Sequence, residues 1–152
     1  MINLCQLEHL SCFGCCGHDW KSKKEVLEQI MRNTKRWEEA REKGAVDRFI
    51  KESEDHLSRS GGCKSLVFKD GRIVCALHPL QNKGKDLRDK NCNKNYLCET
   101  FKRFKTWNRT KQKKFVDFIM GKDMDNYEYS IGMDSGEFLK EFEKITNAKT
   151  LR

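Results

Sequence analysis

Proline is almost absent from this sequence: Pro79 is the single instance in 152 residues, and the ten glycines follow no period. Those two scarcities exclude collagen-like, proline-rich and low-complexity chains. No apolar run approaches the roughly 18 residues of a membrane span, so no span is expected. Residues Met1–Leu10 have neither a basic leader nor a continuous apolar segment, which argues against a secretory signal and for a cytoplasmic protein. There is no phosphate-binding glycine loop, no H-E-x-x-H and no G-x-S-x-G. Asp123-Met124-Asp125 opens like a calcium loop, but Glu128 stands where the obligatory Gly belongs and Asp134 replaces the closing Glu. Apolar residues are scarce as well, at 37% against 36% charged, and eight of them are cysteines. A domain of this length must bury about two-thirds of its unfolded surface. Cysteine chemistry is therefore expected to supplement burial. Nine Phe, three Trp and three Tyr argue against disorder.

The cysteines are spaced Cys5-x6-Cys12-x2-Cys15-Cys16, then Cys63-x11-Cys75-x16-Cys92-x5-Cys98. In a reducing compartment such clusters bind metal or do redox work more often than they form disulfides. Thiolates suit zinc and iron–sulfur clusters because they are soft, anionic and able to converge from several loops. The two-residue gap lets Cys12 and Cys15 reach one centre through a tight turn. Adjacent Cys15 and Cys16 normally point apart, so they serve two centres or one of them supports the site from outside. Structural zinc is usually built from two paired knuckles, and only one such pair is present. Iron–sulfur clusters tolerate uneven spacing and take four thiolates each. A 4Fe–4S cluster is thus slightly favoured over zinc, while His9, His18 and His78 keep zinc open. Cys12, Cys15, Cys16, Cys63, Cys75 and Cys92 are the leading ligand candidates, and Cys5, His9 and Cys98 follow. Six leading thiolates exceed one four-ligand site. Cys98 has a competing reading as a plain core thiol on the apolar side of a helix.

His9-Leu10-Ser11-Cys12-Phe13-Gly14-Cys15-Cys16, Gly62-Cys63-Lys64-Ser65-Leu66 and Gly71-Arg72-Ile73-Val74-Cys75-Ala76-Leu77-His78-Pro79 together resemble the YkgJ-type cysteine-cluster family, the zinc- or iron-chelating CxxCxxCC domain. Gly84-Lys85-Asp86-Leu87-Arg88-Asp89 with Cys92 resembles the following stretch in one branch of that family, so the resemblance spans roughly residues 9–98. It implies metal binding and, through some members, a link to protein lysine methylation. It does not supply a reaction. Two departures stand out. His9 occupies the position of the first motif cysteine, so His9 is a ligand, Cys5 replaces it, or the position is lost. The usual Arg-Pro-x-x-Cys after the third segment is absent, and Cys92 comes later instead.

The formal net charge is +8. Seven of those charges, with no acid among them, lie on Lys102, Arg103, Lys105, Arg109, Lys111, Lys113 and Lys114. Localised positive charge is the footprint of a phosphate-binding surface, and the interleaved Phe101, Phe104 and Trp107 would stack on bases if exposed. Their spacing with Leu97 also makes one helical stripe. On that second reading the aromatics face the core and a basic face remains for RNA or an acidic protein.

The expected architecture is mainly α with one small β-hairpin, an irregular single domain organised around a cysteine-ligated metal centre. It divides into a cysteine loop at 1–20, a helical pair at 22–57, a hairpin and cysteine segment at 62–98, and C-terminal helices at 99–147. Ser22-x-x-Glu25 is a capping box opening a helix that Gly44 stops. A second helix is expected from about Ala45 to Leu57. Lys64–Leu77 reads as a hairpin about Asp70-Gly71, with Cys63 and Cys75 at its base. Thr110 is expected to cap a later helix. Residues 122–134 read as loop, with an extended piece at Tyr127–Ile131. Three functions follow: a metal-binding protein with a structural or redox centre; an RNA- or protein-binding module whose metal only stabilises the fold; or an enzyme or accessory protein acting through the cluster.

Overall fold

A computed structural model describes residues 1–55 and 57–149 and the backbone of residue 150. Helix α1 runs Lys23–Glu42. The Ser22 hydroxyl accepts the Glu25 N–H at 3.2 Å and the Glu25 carboxylate accepts the Ser22 N–H at 3.0 Å, which satisfies two orphan donors reciprocally. Its buried residues Val26, Ile30, Asn33 and Trp37 recur at helical spacing and make one face. Gly44, with φ +65°, ends the helix. Helix α2, Val46–Glu52, stops earlier than the expected Leu57. Ser53 turns back on Phe49 through both its N–H and its hydroxyl, and Leu57 instead forms a bridge with Cys63.

Two hairpins are present where one was expected. The anticipated one pairs β3, Leu66–Lys69, with β4, Arg72–Cys75. Asp70 and Gly71 both take positive φ, 50° and 74°, as a two-residue hairpin turn with right-handed twist requires. The other lies inside the stretch expected to be irregular loop. There β1, Gln6–Leu7, pairs with β2, Leu10–Ser11, around Glu8-His9. Leu7 and Leu10 oppose each other and are both buried. This one apolar cross-strand pair closes a ladder too short for a periodic signal to reveal.

After a 3-10 turn at Pro79–Gln81, the chain has no helix or strand until α3, Glu99–Thr106. Helix α4 is Arg109–Met120, capped by Asn108 rather than by the expected Thr110. The expected loop at 122–134 is largely helix: α5 spans Asn126–Asp134. Asp125, from the opening of the calcium-like pattern, and Glu128, which stands at its glycine position, form its capping box. Helix α6, Glu137–Thr150, follows.

Burial falls into three clusters. Leu4, Leu7 and Leu10 pack with Phe104, Phe115 and Tyr129 and the other apolar residues of α3–α6. Phe13, Val26, Ile30, Leu66 and Ile73 join α1 to the second hairpin. Trp37, Phe49, Val67, Ala76 and Leu77 form the third. Cys12 lies against the first cluster, Cys16 and Cys63 against the second, and Cys75 against the third. These four thiols thus each border one of the three clusters.

Candidate metal centre

Cys5 and Cys12 stand at the open end of the first hairpin. The register that pairs Gln6 with Ser11 sets them opposite one another, and the Cys12 N–H donates to the Cys5 carbonyl at 3.0 Å. The hairpin is held from below by Leu4, whose carbonyl accepts the buried Tyr129 hydroxyl at 2.7 Å. From the side it is held by Ser11. The Ser11 hydroxyl donates to the Ile73 carbonyl at 2.7 Å and accepts the Ile73 N–H at 3.0 Å. Residues 65 and 76 are hydrogen-bonded across the second hairpin. Antiparallel alternation therefore leaves Ile73 facing outward from its ladder, and Ser11 takes both of its backbone groups. His9, in the turn of the first hairpin, is exposed and lies at the opposite end from Cys5 and Cys12.

Gly14 lets the next segment lie directly on α5. A Cβ there would stand 2.5 Å from the Asp134 Cβ and 2.6 Å from the Ser130 carbonyl oxygen. The adjoining Phe13 N–H donates to the Ser130 hydroxyl at 2.9 Å. The chain then turns, with the Cys16 N–H bonded to the Phe13 carbonyl at 2.8 Å, and crosses the segment before β3. There the Cys63 N–H donates to the Cys16 carbonyl at 2.7 Å, and Gly17 bridges to Gly62. A side chain at Gly17 would meet the Gly61 carbonyl at 2.3 Å and the Trp20 ring at 2.7 Å. Cys63 and Cys75 sit at the base of the second hairpin, as expected. Cys75 pairs with Leu66, whose N–H bonds back to the Cys63 carbonyl. Cys98 is the N-cap of α3, and its sulfur accepts the Phe101 N–H at 3.4 Å.

All eight cysteines are free thiols. As placed, no group of three or more His, Cys, Asp or Glu among the described residues could hold a metal ion. The thiols nevertheless sense one another. Cys5 and Cys12 both feel Cys15 and Cys98. Cys16 feels Cys63 and Cys75, Cys75 feels Cys63 and Cys92, and Cys92 feels Cys63 and Cys15. Burial pushes Cys5 up to about 11 and Cys75 up to about 12, and raises Cys12, Cys63, Cys92 and Cys98. Cys15 goes the other way, down to about 7, because the Cys16 thiol donates a hydrogen bond to it; the same bond, followed by burial, raises Cys16. The charged neighbours differ from thiol to thiol. Asp134 faces Cys15 and Cys98. Arg88, fixed by a two-point contact with Asp86 at 2.8 and 2.9 Å, faces Cys15, Cys75 and Cys92. Asp134 carried no sequence signal, since its place beside the thiols depends on Gly14 meeting α5.

Cys92 borders an open concavity of about 510 Å³ lined by Lys90, Asn91, Cys92, Asn93, Lys94 and Asn95. His78 and His18 have local tasks. His78 caps the 3-10 turn by accepting the Leu80 N–H at 3.1 Å, and His18 contacts Asp19 at 3.0 Å.

The basic segment occupies α3 and the first half of α4. Phe104 is buried, and Phe101 and Trp107 pack against the same core, so this aromatic stripe faces inward. Lys102, Arg103, Lys105, Arg109, Lys113 and Lys114 are exposed, whereas Lys111 is half-buried with its Nζ 4.4 Å from the Trp107 ring centroid. Arg103 donates to Glu143 at 2.8 Å and Lys102 approaches Glu99 at 4.0 Å. No helix among the described residues is long and apolar enough to cross a membrane. No family model, curated protein or solved structure matches the chain.

Proposed function

We propose that this chain is a metal-binding cysteine-cluster protein with a structural or redox centre, iron–sulfur slightly favoured over zinc. The observation that carries the reading is the set of eight free thiols, each of which has another of them as an electrostatic neighbour, with Cys12, Cys16, Cys63 and Cys75 packed against the apolar clusters. The donor set fits the chemistry in kind. Burial holds most of these thiols protonated, and a bound cation reverses that preference by deprotonating its thiol ligands. Loading therefore releases protons and adds binding free energy to folding. Four thiolates around one zinc ion stand about 3.8 Å apart, given tetrahedral Zn–S bonds of about 2.3 Å. Loading a single ion accordingly draws the thiols inward, and Cys92 is carried by a stretch without helix or strand. A polynuclear cluster asks for less inward movement.

Anaerobic purification with metal analysis, sulfide assay and a visible spectrum tests this. Iron with inorganic sulfide identifies a cluster, and stoichiometric zinc in colourless protein identifies zinc. Reduced, folded protein that takes up neither overturns the proposal. A second reading, RNA or an acidic protein bound by the basic segment, is favoured by the exposure of Lys105, Arg109, Lys113 and Lys114. It proceeds by charge rather than base stacking, because the aromatics point inward. Such binding weakens steeply with salt and falls on replacing Arg103, Lys105 and Arg109 by Ala. An enzyme or accessory role through the cluster requires an open coordination position or a redox-active chromophore, which the same spectrum reads.

A further inference from the structure

We infer that the outer side of the third apolar cluster is a binding site for a small amphiphilic anion, an acyl carboxylate with its chain on the cluster and its head at the mouth. This goes beyond the metal-binding reading and does not depend on it. An open concavity of about 450 Å³ lies between the end of α1, α2, the second hairpin and the chain after the 3-10 turn. That volume is in the range of small-molecule sites. Trp37 and Val67, both buried, form its floor, and Val46, Ile50, Val74 and Leu87 form its walls. The wall residues are only half-buried, so they leave apolar surface open to solvent. Alternation along the hairpin puts Val67, its partner Val74 and then Lys69 on one face. Arg41 follows Trp37 by one turn of α1 and shares its side of the helix.

The mouth carries the complementary charge. Arg41, Lys69, Lys83 and Lys85 border it, all exposed, against one acid, Asp47. None of the four cations makes an ion pair among the described residues, whereas Arg36, Arg48 and Arg88 on the same stretches are each paired with an acid. Charge of one sign around an apolar recess selects a ligand with an apolar body and a negative head. The walls are fixed before binding. The Leu87 N–H donates to the Leu77 carbonyl at 3.0 Å, and the Asn82 amide donates to the Ala76 and His78 carbonyls at 2.8 and 2.9 Å. Arg36 ties α1 to Glu52 of α2 at 3.0 Å. A pre-formed recess spares part of the ordering cost of binding. A stable protein partner covers about 20–30 residues a side, more than border this recess, which favours the small ligand.

The test is a titration of the full-length chain with octanoate, followed by backbone amide shifts in nitrogen–proton correlation spectra, with octanol and acetate as the two halves of the probe. Octanoate is expected to move amides around Trp37, Ile50, Val74 and Leu87 and to saturate. Octanol and acetate are expected to bind at least about tenfold more weakly, because a hydrogen bond to a charged group and the burial of a hydrocarbon chain are each worth more than that factor. Lys83→Glu/Lys85→Glu, at exposed positions without ion pairs to lose, weakens octanoate binding by about tenfold or more. Shifts that do not saturate, shifts confined to α3 and α4, equal binding of octanol or acetate, or an unchanged affinity in the double variant overturns the inference. So does a hexaglutamate peptide that displaces octanoate and binds more tightly, because the charged rim alone is then the site.

Discussion

Ser11→Ala removes one oxygen atom from the joint between the two hairpins. Ser11 is 2% exposed and Ile73 3%, so water does not readily replace what is lost. The hydroxyl has one proton and two candidate acceptors, the Ile73 carbonyl at 2.7 Å and the Asn126 Oδ1 at 3.2 Å; the shorter contact is the bond. Its oxygen also accepts the Ile73 N–H. The substitution thus leaves a buried N–H and a buried C=O without partners. Each such group costs about 1–3 kcal/mol, and partial relaxation brings the pair to about 2–4 kcal/mol. For a chain of this length that corresponds to a fall in Tm of roughly 5–15 °C. The assay is thermal and urea unfolding of the reduced, metal-free chain, wild type against variant. A Tm loss below about 2 °C with an unchanged urea slope would show that the joint does not hold the hairpins together. The same variant is expected to bind Co²⁺ more weakly, because Cys12 follows Ser11 directly and Cys75 lies two residues beyond Ile73.

Four other outcomes follow from the same geometry. In the metal-free chain Cys15, lowered from an ordinary 9.0 to about 7, is half thiolate at neutral pH; after discounting the lower nucleophilicity of a more acidic thiol, it reacts with iodoacetamide about sixfold faster than an ordinary cysteine. Mass mapping checks this, and Cys16→Ala moves the reaction's rise to higher pH by removing the hydrogen bond. Gly14→Ala forces a methyl against α5 and costs about 1–3 kcal/mol in urea unfolding; an unchanged midpoint refutes the close approach. Cys5→Ser lowers metal stoichiometry while His9→Ala leaves it at the wild-type value, and the reverse result makes the histidine the ligand. The Arg88 hydrogen bonds hold Asp86 well below the ordinary 3.8, so its contribution is present above that value and is lost as pH falls below it. Because the pair lies at the surface, with Asp86 exposed and Arg88 half-buried, Asp86→Asn flattens the acid limb of the stability curve only slightly, by no more than about 1 kcal/mol.

What was legible in the sequence was local. Ser22 and Glu25 announced a capping box three residues apart, Asp70-Gly71 announced a turn, and the stripe of Phe101, Phe104 and Trp107 announced a buried face. Each signal is complete within a few residues, and the structure repeats it. The miss at α5 was also local. Asp125 belongs to an opening that looks like a calcium loop and Glu128 breaks that pattern at its glycine position, yet the same three-residue spacing is a capping box. Cys98 was misjudged by one position: as the cap it precedes the helix, so its sulfur meets the Phe101 N–H instead of joining the apolar stripe.

The grouping of the thiols was illegible for a different reason. It depends on Ser11 meeting Ile73 and on Cys16 meeting Cys63, contacts across 62 and 47 residues, which no spacing encodes. One local feature does constrain the result. Cys15 and Cys16 are separated by a single peptide, about 3.8 Å between Cα atoms, whatever the rest of the chain does. Two thiols so joined sense each other's charge at short range through partly buried surroundings. The Cys16 thiol donates its hydrogen bond to the Cys15 sulfur, which lowers Cys15 and raises Cys16, so the pair gives up its first proton at Cys15.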